Sequence, residues 1–227
     1  MEQLAEQLRQ ARLLRPLPQS VLEETLIPCG VVHTYPKGAC IFAAQEPVER
    51  ISIVLSGRIH LLHLFVDGRY SLSDALTPGW ALGLDLVCTR TRLAPYHAVA
   101  AESCTVFSFP ADLLLRPGQI PEIHRLALMD QLLEILSHQN IRREYRLAIL
   151  SQTSLRSRVL TYLSMQADRQ QSATITTPFS REELAAFLCV NRSALSHELS
   201  KLQQEGYLTF HKRTFTLLHW QPRAEIY

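Results

Sequence analysis

The chain has 227 residues, of which 47% are hydrophobic and 19% are charged, and its formal net charge is +2. That length suits two modest domains, and the composition is that of a globular protein able to bury a core. No apolar run approaches the roughly 20 residues of a membrane-spanning helix, which excludes a membrane protein. Residues 1–9 are charged and amphipathic, so we expect no signal peptide and a cytoplasmic location.

Five cysteines lie at scattered positions, and their number is odd. They are Cys29, Cys40, Cys88, Cys104 and Cys189. No Cys-x-x-Cys pair occurs, which argues against a zinc knuckle, a thioredoxin-type motif and a secreted disulfide framework. An iron–sulfur cluster would require four separate segments to converge. We therefore expect most of these cysteines to be small buried side chains, and we predict no metal and no cofactor.

The first half of the chain carries the pattern of short strands. Residues 2–14 have apolar positions at helical spacing, which predicts a short amphipathic helix that ends before Pro16. Between about residues 20 and 110, short apolar or alternating runs are separated by glycine turns, and these runs predict strands at 39–42, 50–55, 58–64, 70–76, 97–100 and 104–109. We therefore predict a jelly-roll (double-stranded β-helix) domain over residues 1–110.

A long helix is predicted over residues 120–150, because this stretch has one proline near its start and no glycine. Its apolar stripe consists of Ile123, Leu126, Leu133, Leu136, Ile141 and Leu147. No second long helix is available to cover this stripe, although an intramolecular hairpin is the alternative. Pairing with the same helix of a second chain is the simplest solution, so we predict a homodimer and assign residues 111–150 to a dimerisation helix.

Residues 151–227 predict a winged helix-turn-helix domain, which makes the fold class α+β. After a helix at 155–167, Ser180 and Glu183 form a capping box at a helix start, and Asn191 caps the next helix. Gly206 ends that helix. Alternating residues 207–218 then predict a hairpin whose tip is basic.

The second helix of this motif exposes short or polar side chains, namely Arg192, Ser193, Ser196, His197 and Ser200. A helix that enters the major groove of DNA needs such a face, because bulky aliphatic side chains would hold its backbone away from the base edges. An ordinary helical hairpin with a solvated face is the alternative, but the basic hairpin that follows favours DNA. From residue 147 onward, nine Lys and Arg stand against six Asp and Glu, an excess too small for binding by bulk charge alone.

A jelly roll, a long dimerising helix and a C-terminal winged helix-turn-helix resemble, in this order, the Crp/Fnr family of bacterial transcription regulators. The resemblance covers essentially the whole chain and implies a dimeric activator that binds a pseudo-palindromic double-stranded DNA site and contacts RNA polymerase. It implies base contacts by Arg192, Ser193, Ser196 and His197 beside the capping residue Asn191. It implies phosphate contacts by Ser180, Arg181, Lys201, Lys212 and Arg213.

The chain also departs from that family. Ser193 and His197 stand where close relatives of the cyclic-AMP receptor carry Glu and Arg, so a different DNA sequence is expected. Cys189 replaces the usual glycine of the tight turn, which is then relaxed or strained.

The effector pocket implied by the resemblance comprises Gly83, Leu84, Pro95 and Tyr96. Leu84 replaces the glutamate that grips the ribose, and Pro95 and Tyr96 replace the Arg-Ser pair that grips the cyclic phosphate. A buried phosphate without an arginine would be an unpaired charge, so we predict that the effector is not cyclic AMP. Arg90 and Arg92 are nearby in sequence and are the alternative phosphate ligands. The effector itself stays unassigned.

Three alternatives to a simple regulator remain open at this point. A cupin-like metal enzyme fused to a DNA-binding module needs a His-x-His pair, whereas His60 and His63 are separated by two residues. A heme sensor would need an axial histidine such as His33 or His97, and a redox sensor would need a reactive thiol such as Cys189. No nucleophile or phosphate-loop motif occurs, so we expect no enzyme.

Overall fold

Alternating apolar side chains build the first part of the molecule into a β-roll. The structure, a computed structural model, describes residues 2–221. Its strands are β1 Val31–Tyr35, β2 Cys40–Phe42, β3 Arg50–Ser56, β4 Ile59–Leu64, β5 Tyr70–Leu76, β6 Ala81–Leu82, β7 His97–Ala100 and β8 Cys104–Pro110. They form two four-stranded sheets with the orders β1-β8-β3-β6 and β2-β7-β4-β5. The predicted jelly roll is confirmed.

The strand register pairs apolar side chains across neighbouring strands in each sheet. Ile53 lies opposite Phe107 in one sheet, and Leu61 lies opposite Ala98 in the other. Both phenylalanines of β8, Phe107 and Phe109, are at most 1% exposed. In β3 and β8, successive residues are buried, so both faces of these strands are covered.

The N-terminal helices pack on this core. They are α1 Glu2–Arg9, α2 Gln19–Val21 and α3 Ile27–Cys29, and a π-helical turn Leu22–Leu26 joins the last two. The predicted helix over 2–14 is therefore too long. Leu13 and Leu14 are both at most 1% exposed. These adjacent side chains are buried by a turn, because two neighbours on a helix point about 100° apart and a surface helix buries only one face.

The remaining helices of the first part are α4 Leu84–Val87, α5 Asp112–Leu115 and α6 Glu122–Leu150. The long helix thus begins at Glu122, after a segment with Pro117, Gly118 and Pro121. Residues 112–115 form a separate helical turn instead of its start. No helix within residues 2–221 is long and apolar enough to cross a membrane.

The chain divides into two units, and the division falls inside α6. One unit is Met1–Arg69 with Ser73–Ile141, and the other is Tyr70–Leu72 with the chain from Arg142 onward. The boundaries at 110/111 and 150/151 stay predictions.

The second unit contains the predicted winged helix-turn-helix. Its elements are α7 Leu155–Gln170, β9 Thr174–Thr176, α8 Arg181–Phe187, α9 Arg192–Gln204, β10 Leu208–His211 and β11 Thr214–Leu217. The three strands form one sheet in the order β10-β11-β9. Leu195, Leu199 and Leu202 of α9 are 0% exposed and attach that helix to the core.

The turn between α8 and α9 contains an unusual backbone conformation. Cys189 has φ 58°, in the left-handed region, and its side chain is exposed. The neighbouring Val190 N–H donates to the carbonyl of Ala185 over 3.0 Å, so the turn is hydrogen-bonded around this residue. An L-residue with a Cβ pays roughly 1–2 kcal/mol for this conformation, which glycine adopts freely.

Replacing Cys189 with glycine should therefore stabilise the protein. We expect Cys189→Gly to gain up to about 1 kcal/mol, because the relief of strain exceeds the extra chain entropy of glycine in the unfolded state. Cys189→Ala is the matched control, since it removes the thiol and keeps the Cβ, and it should leave stability unchanged. The urea midpoint of the reduced full-length protein measures both. If both variants were less stable than the wild-type protein by the same amount, the thiol itself would contribute to packing.

Candidate nucleic-acid interface

The start of α9 is held by its capping residue. The Asn191 side-chain oxygen accepts from the backbone N–H of Ala194 over 2.7 Å and from the Ser193 hydroxyl over 2.8 Å. Arg192, Ser193 and His197 are exposed. The cap thus places an arginine and a serine at the first turn of a helix whose outward face carries no large aliphatic side chain. This is the geometry that direct reading of base edges requires.

The rest of that face is made of short side chains. Ser196 is half-buried and Ser200 is exposed, and the Ser200 hydroxyl donates to the Ser196 carbonyl over 3.0 Å. Short side chains allow the helix backbone to come close to a groove floor. The predicted base-reading residues are therefore brought together on one side of α9, opposite its buried leucines.

The start of α8 is the predicted capping box. The Ser180 hydroxyl accepts from the Glu183 N–H over 3.2 Å, and the Glu183 carboxylate accepts from the Ser180 N–H. The hydroxyl proton of Ser180 is not used by this cap. A phosphate oxygen is the kind of acceptor that such a donor at a helix start can bind.

Arg181 contacts the wing, which the sequence did not indicate. Its guanidinium lies 4.9 Å from the ring centre of Phe210 and 5.4 Å from that of Phe215, which face each other across β10 and β11. It donates to the Lys212 carbonyl over 3.4 Å. Burial lowers its pKa below the ordinary value, and the nearby charge of Arg192 lowers it further. Arg181 therefore joins α8 to the wing, and its phosphate contact stays a prediction.

The wing tip is basic, as predicted. Lys212 and Arg213 form the two-residue turn between His211 and Thr214, and both side chains are exposed. Lys201 is also exposed, but it lies nine residues after Arg192 on α9, about 14 Å along the helix axis. The structure thus groups Ser180, Arg181, Arg192 and the wing tip, whereas Lys201 is two to three helical turns from Arg192.

The sequence did not reveal the part played by Phe210 and Phe215. Their role depends on the cross-strand register, which places both rings under one guanidinium. The only local signal was the alternation of each phenylalanine with polar neighbours.

The residues of the predicted effector pocket differ in their exposure and in their contacts. Leu84 is 1% exposed and Tyr96 is 5% exposed, and the Tyr96 hydroxyl donates to the Asp85 carboxylate over 3.0 Å. The Tyr96 ring also contacts the rings of Phe42 and His63. Gly83 has φ 92° and begins the turn that carries Leu84. Pro95 is exposed and stands outside this cluster.

The two arginines that could replace the family's phosphate ligand have different surroundings. Arg92 donates to the Asp112 carboxylate over 3.3 Å, and Arg90 is exposed.

The prediction that most cysteines are buried is wrong. Cys104 is buried, whereas Cys29, Cys40, Cys88 and Cys189 are exposed, because they lie at the ends of short elements or in turns. Loss of hydration nevertheless raises the pKa of the Cys40 and Cys88 thiols, which disfavours the reactive thiolate. Within residues 2–221, no three His, Cys, Asp or Glu side chains are grouped as metal ligands.

Comparison with known proteins matches both units to described domains. A family model of the cyclic nucleotide-binding domain matches residues 32–116, and one of the Crp-like helix-turn-helix domain matches residues 157–221. The chain is 26% identical over 186 residues to the CRP-like cAMP-activated global transcriptional regulator of Mycobacterium tuberculosis, covering 77% of this chain and 78% of the relative.

Two further comparisons agree. The chain is 22% identical over 194 residues to the global nitrogen regulator of Synechococcus elongatus, covering 83% of this chain and 86% of the relative. The fold is similar to that of FixK2 from Bradyrhizobium japonicum, with a TM-score of 0.64 and 21% identity over 86% of this chain and 98% of that one.

Proposed function

The chain belongs to the Crp/Fnr family of transcription regulators, and from that membership we propose that it acts as a homodimer that reads a pseudo-palindromic DNA site through α9. The matched domains and the relatives are those of regulators and not of enzymes, so the cupin-like alternative is set aside. A regulator of bacterial genes works where the DNA is, and we place this one in the cytoplasm.

One observation carries the proposal for DNA reading. The capped start of α9 presents Arg192 and Ser193 beside a second positive group formed by Arg181 and the wing tip. The base edges of the major groove and the flanking phosphates are the partners that match this arrangement. Lys212 and Arg213 would contact the phosphate backbone, while Arg192, Ser193, Ser196 and His197 would face the bases.

The dimer is supported by an uncovered row of side chains on α6. Leu126, Leu133, Asn140 and Leu147 recur every seven residues, and the three leucines are 55%, 64% and 62% exposed. Leu128 and Leu132 lie off this row and are at most 5% exposed. A seven-residue repeat is the spacing of a coiled coil, so the occupant we propose for this row is α6 of a second copy.

A parallel pairing of two α6 helices would also place the two α9 helices symmetrically. Reading helices in such dimers address half-sites about one DNA turn, roughly 34 Å, apart. The exposed amide of Asn140 would meet its own copy across the seam, which favours two parallel chains in register.

The β-roll is proposed to respond to something other than cyclic AMP, or to no small molecule. By the resemblance in sequence, Leu84 and Tyr96 correspond to residues with which nucleotide-binding relatives grip the ligand. Both are buried here, and Arg92 is paired with Asp112. A cyclic phosphate there would be buried without a guanidinium partner, which costs several kcal/mol.

The first experiment selects bound duplexes from a random pool with the reduced protein. We expect a two-fold symmetric motif. Arg192→Ala should lower affinity for that motif by about 1–3 kcal/mol and relax one base position in each half-site. Lys212→Ala should lower affinity for all DNA sequences alike. It should also reduce by about one the slope of the logarithm of the binding constant against the logarithm of the salt concentration.

Run-off transcription from the selected site tests activation through RNA polymerase. We expect a higher yield of transcript when the protein is present.

Lys37→Ala is the matched control for Lys212→Ala, because Lys37 is an exposed lysine in a turn of the first unit. It should change neither affinity nor salt slope. An Arg192→Ala variant that lost affinity equally for every sequence would contradict base reading by this residue.

The dimer seam is tested by Leu133→Glu. Two facing carboxylates in a buried seam cost several kcal/mol, so the dimer should weaken by about two orders of magnitude. Sedimentation velocity measures this change. His138→Glu is the control, since His138 is exposed on α6 outside the seven-residue row and accepts the same charge. If both variants remain dimeric, another surface forms the dimer.

Cyclic AMP is expected to have no effect. At millimolar concentration it should neither raise the melting temperature nor change affinity for the selected duplex, since a ligand stabilises only the state that it binds. A saturable upward shift in melting temperature would refute the proposal that this β-roll excludes the nucleotide.

A further inference from the structure

Arg156, in the first turn of α7, contacts α9 from the side away from the DNA-reading residues. Its Nε donates to Glu198 over 2.9 Å, and its Nη2 donates to Glu205 over 2.9 Å. Its Nη1 lies 2.7 Å from the other oxygen of Glu205, so that pair is bidentate. Glu198 belongs to the middle of α9, and Glu205 is the C-terminal cap of that helix.

The same guanidinium reaches the start of the wing. It lies 5.8 Å from the ring centre of Tyr207, which follows Gly206 at the end of α9. Hydrogen bonds from Arg156 lower the pKa of Glu205 below its usual value. The side chains of Arg156, Glu198 and Glu205 are 32%, 17% and 35% exposed, so water screens this network only in part.

The neighbouring Arg158 holds the other helix of the motif. It donates to the carbonyl of Leu188, the C-terminal cap of α8, over 3.3 Å and to the carbonyl of Gln152 over 3.1 Å. Ser154 caps α7 by accepting from the Ser157 N–H over 3.0 Å, which fixes the turn that carries both arginines. The first turn of α7 thus holds α8 at its end and α9 along its second half.

We propose that Arg156 is a positioning residue for DNA reading, which sets the tilt of α9 through its contacts with Glu198 and Glu205. This inference rests on the proposed function of α9. Arg192 and Glu205 are separated by roughly 20 Å of helix, so a tilt of about 3° at one end moves the other by about 1 Å.

Base contacts and phosphate contacts differ in how they tolerate such a movement. A hydrogen bond to a base edge fails when donor and acceptor move apart by 1 Å. The long side chains at the wing tip can follow a phosphate, and phosphate contacts carry no sequence information. Loss of Arg156 should therefore reduce sequence-specific binding much more than non-specific binding.

The experiment measures the affinity of the full-length dimer for a selected duplex and for a scrambled one at the same salt concentration and well below the melting temperature. We expect Arg156→Ala to lower the affinity for the selected duplex about tenfold, which is comparable with the loss of one base contact. The affinity for the scrambled duplex should fall less than about twofold. Arg156→Lys keeps the charge but cannot bind both carboxylates in a fork, so its loss should be intermediate.

Glu205→Gln provides a second route to the same contact if Arg156→Ala folds poorly. Glu205→Gln should reproduce most of the loss of affinity for the selected duplex. The double variant should bind no more weakly than Arg156→Ala, because Arg156→Ala already removes the contact with Glu205. Arg116→Ala is the matched control. It breaks a 2.9 Å ion pair with Asp112 in the first unit and should leave the affinity ratio unchanged.

An equal loss for both duplexes would show a merely structural role and overturn the inference, as would unchanged binding by Arg156→Ala. A wild-type protein that did not distinguish the two duplexes would instead refute the proposed function.

Discussion

Three leucines on one side of α9 govern the second unit, because a helix that reads DNA must be attached by one face and left free on the other. Leu195, Leu199 and Leu202 are fully buried, and each contributes roughly 2 kcal/mol by leaving water. They hold the helix without occupying its outward face. Polar contacts then fix what apolar packing leaves loose, since Asn191 sets where the helix begins and Arg156 acts on its far half.

The two units differ in the side chains that they bring together. In the β-roll, the Tyr96 hydroxyl donates to Asp85 while the Tyr96 ring packs on Phe42. In the second unit, Arg181, Arg192 and the basic wing tip lie around the starts of α8 and α9.

Much of the second unit could be predicted from the sequence, because its signals are local. The pairs Ser180 with Glu183 and Asn191 with Ala194 span three residues, and the structure confirms both caps. Strand β1 escaped notice even though Gly30 and Pro36 bracket it, and the two-residue β6 gives no periodic signal. The predicted N-terminal helix was longer than the observed α1, because helical spacing alone does not show where a chain turns to bury adjacent leucines.

The contacts that refine the site could not be predicted. Arg156 meets Glu198 and Glu205 across 42 and 49 residues, and Arg181 meets Phe210 through the register of the wing. Such pairs depend on tertiary packing, and no local pattern encodes them. The exposure of four cysteines was missed for the same reason, because short elements end at positions that periodicity does not fix.

The Asn140 amide in the row of leucines on α6 is relevant to whether subunits of related regulators form mixed dimers. Bacteria that contain several regulators of this architecture synthesise subunits that could mix. A subunit with an aliphatic side chain opposite Asn140 would bury that amide without a partner, which penalises the mixed pair relative to both pure ones. If α6 pairs as proposed, this polar layer would insulate a regulatory circuit from its paralogues, at the cost of a looser homodimer.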